Sequence, residues 1–340
     1  SGLIAGIVGG VLVGLLSGSQ LSITGPASGL VPVVLFGVAR LGSAEAFFAA
    51  VALAGIIQIL LGLARAGSVS RLFPAAVVRG MMAAIGLIMI YKQIPHLFGY
   101  DAESFGQDSF TGMGWFFAPS QVEVAPALVG LVSLLIMIFW EWKIHPGKSR
   151  MPGAIVVSGL GILLHKALQA FDPGLAMSAE HRVQIPADWY LVHPTPDWSV
   201  LSNPQLYWVA LTLALVASLE ALVALEVIDR LDPQHRVAPP NRELWAQGVG
   251  NLVCGILGGM PVTSVLARGG VNVTSGSRTK AAAIMQGFLL AFALLWLRPQ
   301  LNELPLSSLA AVLIVVGAFL IQPLIVRELF QQGASQFVPF

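Results

Sequence analysis

The stretch Trp208-Val-Ala-Leu-Thr-Leu-Ala-Leu-Val-Ala-Ser-Leu-Glu-Ala-Leu-Val-Ala-Leu225 is apolar or uncharged throughout, except for Glu220 at its middle. With its flanks it is long enough to cross a hydrocarbon core, which takes about 20 residues. A lone acid at that depth costs roughly 2.5–3.5 kcal/mol on insertion scales, and such groups face a polar cavity, an ion path or a partner. No cation lies within a helical turn of Glu220. It is therefore the first candidate functional residue. The second is Arg268, in Pro261-Val-Thr-Ser-Val-Leu-Ala-Arg-Gly-Gly270, another charge in a weakly polar neighbourhood of membrane length. Together they point to a site that handles a small charged solute.

Composition sets the class. Of 340 residues, 56% are hydrophobic and 10% charged, against about 25% charged in soluble domains. This is the composition of a polytopic, all-α membrane protein. The net charge of +1 and the scatter of basic residues among short loops exclude a nucleic-acid partner. The single Cys254 excludes an internal disulfide and a cysteine-based metal site, and reads as a small buried side chain. No HxxEH, CxxC, Walker or GxSxG pattern occurs, so the chain is not read as an enzyme and no cofactor is expected. Lys92 with His96, and His165 with Lys166, sit near helix ends and read as side chains snorkelling to the interface. Asn272-Val-Thr274 matches a glycosylation sequon by chance.

Windows of about 20 apolar residues place helices near 2–18, 26–40, 44–66, 77–99, 121–142, 151–171, 204–228, 242–259, 263–273, 279–298 and 304–329. Two of these, 26–40 and 263–273, are too short to cross. Gly2, Gly6, Gly10, Gly14 and Gly18 form a ridge that lets another helix approach closely. Arg65, Arg71 and Arg79, then Lys143, Lys148 and Arg150, then Arg230, Arg236 and Arg242 mark cytoplasmic loops by the positive-inside rule. The alternate loops are acidic: 100–120 with Asp101, Glu103 and Asp108, and 172–203 with Asp172, Glu180, Asp188 and Asp197. The latter is expected to form a structured extracellular cap. Glu226 and Asp229 read as solvated residues at the cytoplasmic end of the Glu220 helix. The sequence opens inside one apolar segment and closes where another would begin, as expected for a piece of a longer transporter.

The two short helices share a grammar. Leu21-Ser-Ile-Thr-Gly-Pro-Ala-Ser28 and Gly258-Gly-Met-Pro-Val-Thr-Ser-Val265 each give a few extended residues, a hydroxyl and a Pro or Gly, then a half-length helix. Paired interruptions in the two halves of a transporter point to its binding site. A helix that starts at mid-membrane leaves its first amides unpaired and carries about half a positive charge there, so two facing tips make an anion cradle. Pro26 suits the first helical turn. Thr24, Gly25, Thr263 and Ser264 lie where they could cap the helices or contact the solute. Arg268, one turn in, would add a permanent cation with bidentate reach. Glu220 would be a counter-ion for Arg268, or the holder of a coupled proton or Na⁺.

Thr24-Gly-Pro, the mid-helix Glu220, Asn241-Arg-Glu-Leu-Trp-Ala-Gln-Gly-Val-Gly-Asn251, Gly258-Gly-Met-Pro-Val-Thr-Ser264, then Arg268, Asn272 and Gly276-Ser-Arg-Thr279 occur in this order. The order resembles the SulP family, bacterial relatives of the solute carrier family 26 anion transporters. The Asn-Arg-Glu-Leu stretch with its Gln-Gly-x-Gly-Asn tail is its most specific part. The resemblance implies a UraA-like fold of seven plus seven inverted helices, divided into core and gate domains, with the anion between the third and tenth helices. On that pattern residues 1–66 and 204–300 belong to the core. Residues 67–203, including the extracellular loop 172–203, and 301–340 belong to the gate, and flanking helices and a cytoplasmic STAS domain are missing. Function follows as elevator-type secondary transport of bicarbonate or sulfate, by a multi-pass protein of the inner (plasma) membrane that is a homodimer at full length. Its partners are then the anion and the lipid bilayer. Cyanobacterial bicarbonate members carry a Thr of their sodium site where this chain has Ala224, which favours proton coupling or exchange. A nucleobase–proton symporter of the same fold is the alternative, though that family usually has an acid where this chain has Arg268. A non-transporting scaffold or channel derivative is a third reading.

Overall fold

The structure is a computed structural model and describes residues 1–68, 75–99, 123–143, 153–185 and 195–321. The expected loop 100–120, Arg71, Lys148, Arg150, Asp188 and the chain beyond 321 lie outside the described residues. Eleven helices are labelled here in chain order: α1 Gly2–Leu16, α2 Val31–Leu41, α3 Ala44–Leu63, α4 Ala75–Leu97, α5 Val124–Lys143 and α6 Gly153–Phe171. They continue as α7 Pro204–Leu231, α8 Pro240–Ile256, α9 Leu266–Thr274, α10 Ala281–Trp296 and α11 Leu306–Ile321. Among the described residues, α3, α5, α6 and α7 contain segments long and apolar enough to span a bilayer. At 11 and 9 residues, α2 and α9 reach roughly 16 and 14 Å, half of a core about 30 Å thick.

The chain divides into two compact units, one of residues 1–78 and 187–295, the other of 79–186 and 296–340. In the first, α3 and α8 run in close contact, because glycines replace side chains where they meet. A methyl group on Gly248 would lie 2.6 Å from the Ile59 amide nitrogen, and Gly55 and Gly255 face the backbones of Leu252 and Ala52 as tightly. Such small-residue contacts allow helices to pack in lipid without a hydrophobic driving force. The glycine ridge of α1 works in the same way. At Gly10 it meets Gly287 of α10, and a π-helical turn at Gly9–Val13 interrupts it.

Local signals fix the helix ends. Gly42, at φ +83°, closes α2, and the Ser43 hydroxyl then accepts from the Ala46 amide at 3.1 Å to start α3. Asn203 caps α7 by accepting from the Gln205 amide at 2.9 Å, with Pro204 in the first turn. Residues 195–203 belong to this unit: the Asp197 amide donates to the Glu45 carbonyl at 3.0 Å.

The second unit packs α5 against α6 and α11. Ser133 and Ser308 share a hydrogen bond of 3.1 Å, and Met137, Val157 and Val315 form an apolar cluster. The part of loop 172–185 that follows α6 is ordered against residues 302–305. The Val183 amide donates to the Leu304 carbonyl at 3.0 Å, and Asn302 Oδ1 accepts from the Ile185 amide at 2.8 Å. Lys166 does reach outward, pairing with Glu303 at 2.6 Å. His165 does not snorkel as expected: it is 3% exposed, because its position on α6 turns it inward while Lys166 turns out.

Candidate functional site

The two interruptions meet. Thr24–Gly25 (β1) and Thr263–Ser264 (β2) pair antiparallel, Thr24 opposite Ser264 and Gly25 opposite Thr263. Unpaired backbone inside a bilayer has no water to bond, so two extended segments at that depth satisfy each other. This corrects the expected local roles. Pro26 lies between β1 and a 3₁₀ turn at Ser28–Leu30 rather than in the first helical turn, and Thr24, Thr263 and Ser264 are strand residues that cap nothing. The residue preceding α9 is Val265, whose side chain cannot cap and whose amide donates to the Ile23 carbonyl at 2.8 Å.

The strand hydroxyls are buried and bonded within the protein. Thr263 Oγ1 donates to the Ala217 carbonyl at 3.0 Å, Ser264 shares a hydrogen bond with Ser22, and Thr24 Oγ1 accepts from Gln247 Nε2 at 2.8 Å. What the breaks leave toward a solute is backbone. The first amides of the 3₁₀ turn, and those of Leu266, Ala267 and Arg268, have no carbonyl within their own helices.

Arg268 lies in the first turn of α9. Its guanidinium extends across β1, with Nη1 2.5 Å from where a Cβ on Gly25 would stand. The residue is exposed, and among the described residues no hydrogen bond or ion pair engages it. Glu220, on α7, meets the same backbone four residues further on: its Oε1 is 2.7 Å from where a Cβ on Gly29 would stand, and its buried Oε2 has no hydrogen-bond partner. Both charges therefore rest on glycines of one short segment. They form no ion pair with each other. Asp229 is more than a solvated boundary residue: its Oδ2 accepts from the Ala238 amide at 2.8 Å. Glu226 pairs with Arg230 at 2.8 Å.

Two residues of the Gln-Gly-x-Gly-Asn tail had no role in the sequence reading and acquire one here. The Asn251 side chain grips the backbone just before β2, donating to the Val262 carbonyl at 2.9 Å and accepting from the Val262 amide at 2.7 Å. Its Nδ2 also donates to Gln58 Oε1 at 2.7 Å, and Gln58 Nε2 donates to Ser218 at 3.2 Å. Gln247 bridges Thr24 to Glu243 Oε1, the latter at 2.8 Å. The signal in the sequence was two amides on one turn-spaced face of a membrane helix. Their partners are backbone and hydroxyl groups that only the fold brings near. Ala224 is buried in α7 and offers a methyl group, with no oxygen to ligate a cation.

The sequence profile of the sulfate permease family matches residues 1–335. The chain belongs to that family. Among sulfate permease relatives, the putative sulfate transporter YvdB of Bacillus subtilis is 27% identical over 93% of this chain and 58% of its own length. The bicarbonate transporter BicA of a Picosynechococcus strain is 27% identical over 93% of the chain and 56% of its own. The chain thus spans a little over half the length of these relatives. Its fold is that of the transmembrane domain of a cyanobacterial BicA, with TM-score 0.73 at 21% identity over 99% of this chain and 85% of that one. SLC26A9 is also similar, at TM-score 0.66 and 17% identity over 97% and 55%. The UraA-like, two-part transmembrane architecture with two half-helices is therefore the architecture of this sulfate permease family member.

Proposed function

We propose that this protein is a secondary active transporter of a small inorganic anion, sulfate or bicarbonate, and catalyses no reaction. The observation that carries this reading is the pairing of Gly25 with Thr263 beneath the guanidinium of Arg268. Two helix tips, their free amides and one permanent cation make a positive pocket where lipid would otherwise exclude charge. Family membership supports an anion over a nucleobase, as does Arg268 in place of an acid.

In this reading the first compact unit is the core that carries the anion, and the second is the gate past which it moves as an elevator. Glu220, close to the tip of α2 but unpaired with Arg268, serves as counter-charge for the empty site or holds the coupled ion. Ala224 favours a proton, or exchange, over sodium. The intact protein is a multi-pass homodimer of the plasma membrane.

Uptake of labelled sulfate and of labelled bicarbonate into vesicles holding the intact protein, at several pH values with and without sodium, tests the reading. Saturable uptake of one anion, responsive to pH and indifferent to sodium, is expected. Transport of neither anion would overturn it.

A further inference from the structure

The second compact unit holds a cavity of about 510 Å³ that forms no part of the anion cradle, lined by Ala179, Arg182, Gln184, Ile185, Asn302 and Glu303 among others. Its volume falls in the range of small-molecule sites, roughly 300–1,000 Å³. The acidic loop that contributes Ala179 to Ile185 marks it as extracellular by the positive-inside rule.

The walls are fixed by the chain itself. Residues 182–185 run antiparallel to 302–305, with Arg182 bridged to Pro305 and the Val183 amide on the Leu304 carbonyl at 3.0 Å. Asn302 holds the Ile185 backbone twice, accepting from its amide at 2.8 Å and donating to its carbonyl at 3.3 Å. Arg298 Nε donates to the same carbonyl at 2.8 Å, and Gln184 Nε2 to the Ala179 carbonyl at 2.9 Å. The cavity is therefore built before anything enters it, which lowers the cost of binding.

Its charges do not balance. Arg182, Lys166 and Glu303 all act electrostatically on His165, so they form one cluster of two cations and one acid. The acid is taken, since Glu303 pairs with Lys166 at 2.6 Å. Arg182 is left over. Its Nε is buried with no hydrogen-bond partner, its terminal nitrogens keep accessible surface, and no hydrogen bond or ion pair engages its side chain among the described residues. Glu180, on the 3₁₀ turn Ala179–His181, is exposed and lines no part of the cavity. A planar guanidinium with free terminal nitrogens receives two oxygens of a carboxylate or sulfate side by side. A neutral or cationic solute would leave that charge uncompensated.

We propose that this cavity is an extracellular oxyanion site anchored by Arg182 and separate from the transport cradle. Inorganic sulfate and a small organic carboxylate share the paired oxygens it takes. The occupant joins 182–185 to the stretch that leads into α11, and stabilises the folded protein by mass action.

The test is melting of the intact protein in detergent, titrated with sulfate in one arm and succinate in the other, each against sodium chloride at equal ionic strength. The Arg268→Ala background weakens the cradle's own response. In that background one or both oxyanions should raise the melting temperature saturably; sulfate alone marks an inorganic occupant, succinate alone an organic one. Adding Arg182→Gln should move the midpoint to a concentration at least about tenfold higher, the loss of a charged hydrogen bond. Arg182→Lys, which keeps the charge without the fork, should fall between. Should Arg182→Gln melt far below its parent without anion, Ala179→Phe, which fills the cavity and keeps the guanidinium, takes its place with the same expected shift. A midpoint that neither change moves, or no response beyond that of chloride, would overturn the proposal. Uptake by Arg268→Ala is measured alongside: wild-type uptake there would sink the cradle reading and leave this site standing.

Discussion

Arg268 and Gly25 occupy one small volume: the guanidinium nitrogen Nη1 lies 2.5 Å from where the first side-chain atom of any other residue at 25 would stand. Glycine at 25 is thus a requirement of Arg268 and not of the local backbone, since Gly25 is absent from the positive-φ residues. Gly25→Ala is expected to push the guanidinium off β1 and weaken anion binding by about 1.5–3 kcal/mol, the worth of a charged hydrogen bond. Uptake kinetics would show KM rising about tenfold or more, with the protein still folded. An unchanged KM would mean that Arg268 does not bind the solute from this position.

Glu220 offers a contrast. One of its oxygens is buried without a partner, and the carboxylate rests on Gly29. Glu220→Gln removes a charge that costs roughly 2.5–3.5 kcal/mol at membrane depth, so the melting temperature should hold or rise. Transport should lose its dependence on the coupled ion. Uptake by this variant that still follows external pH as in the wild type would remove Glu220 from the coupling role.

Asn251 is expected to be structural in a stricter sense. Replacing it by Leu leaves both the amide and the carbonyl of Val262 unbonded in a buried place, at about 1–3 kcal/mol each, and frees Gln58 as well. A marked drop in the melting temperature of the purified protein should follow. Asn251→Asp, which keeps the acceptor for the Val262 amide, should fall between the two.

Much of this arrangement is legible in the sequence, and the part that is not has a common cause. Length and apolarity were enough to place α3 and α7. The weak spans at 26–40 and 263–273 were enough to mark the half-helices. The half-helices start later than these spans, at Val31 and Leu266, because Thr24-Gly25 and Thr263-Ser264, far apart in the chain, pair with each other. Their pairing converts apparent helix caps into strands, and no local propensity encodes a partner at that distance. The same holds for Gln247 and Asn251, whose spacing is visible but whose targets, the Thr24 hydroxyl and the Val262 backbone, belong to other segments. His165 and Lys166 are adjacent and similar in composition, yet only the packing of α6 decides that one is buried and the other meets Glu303.

The loop after α7 gives a pH test. Arg236 Nε donates to Asp232 Oδ2 at 2.6 Å and Arg236 Nη1 to the Arg278 carbonyl at 2.8 Å. The Arg236 guanidinium, helped by the Gln234 and Arg236 amides, holds the Asp232 carboxyl below its ordinary range. A carboxyl depressed on folding gives its full stabilisation above the unfolded value, about 3.9, and loses it as pH falls through the lower folded value. The melting-temperature gap between wild type and Asp232→Asn should therefore be constant near neutrality and narrow below about pH 4. A gap that does not change on acidification would show that this pair adds nothing through its charge.

The most direct test of the anion cradle is uptake of labelled sulfate and bicarbonate by the Arg268→Ala variant, inserted in proteoliposomes at wild-type level and with wild-type melting. Uptake should fall to background for whichever anion the wild type carries. Uptake at the wild-type rate and KM would contradict a site built from two facing helix tips and one guanidinium.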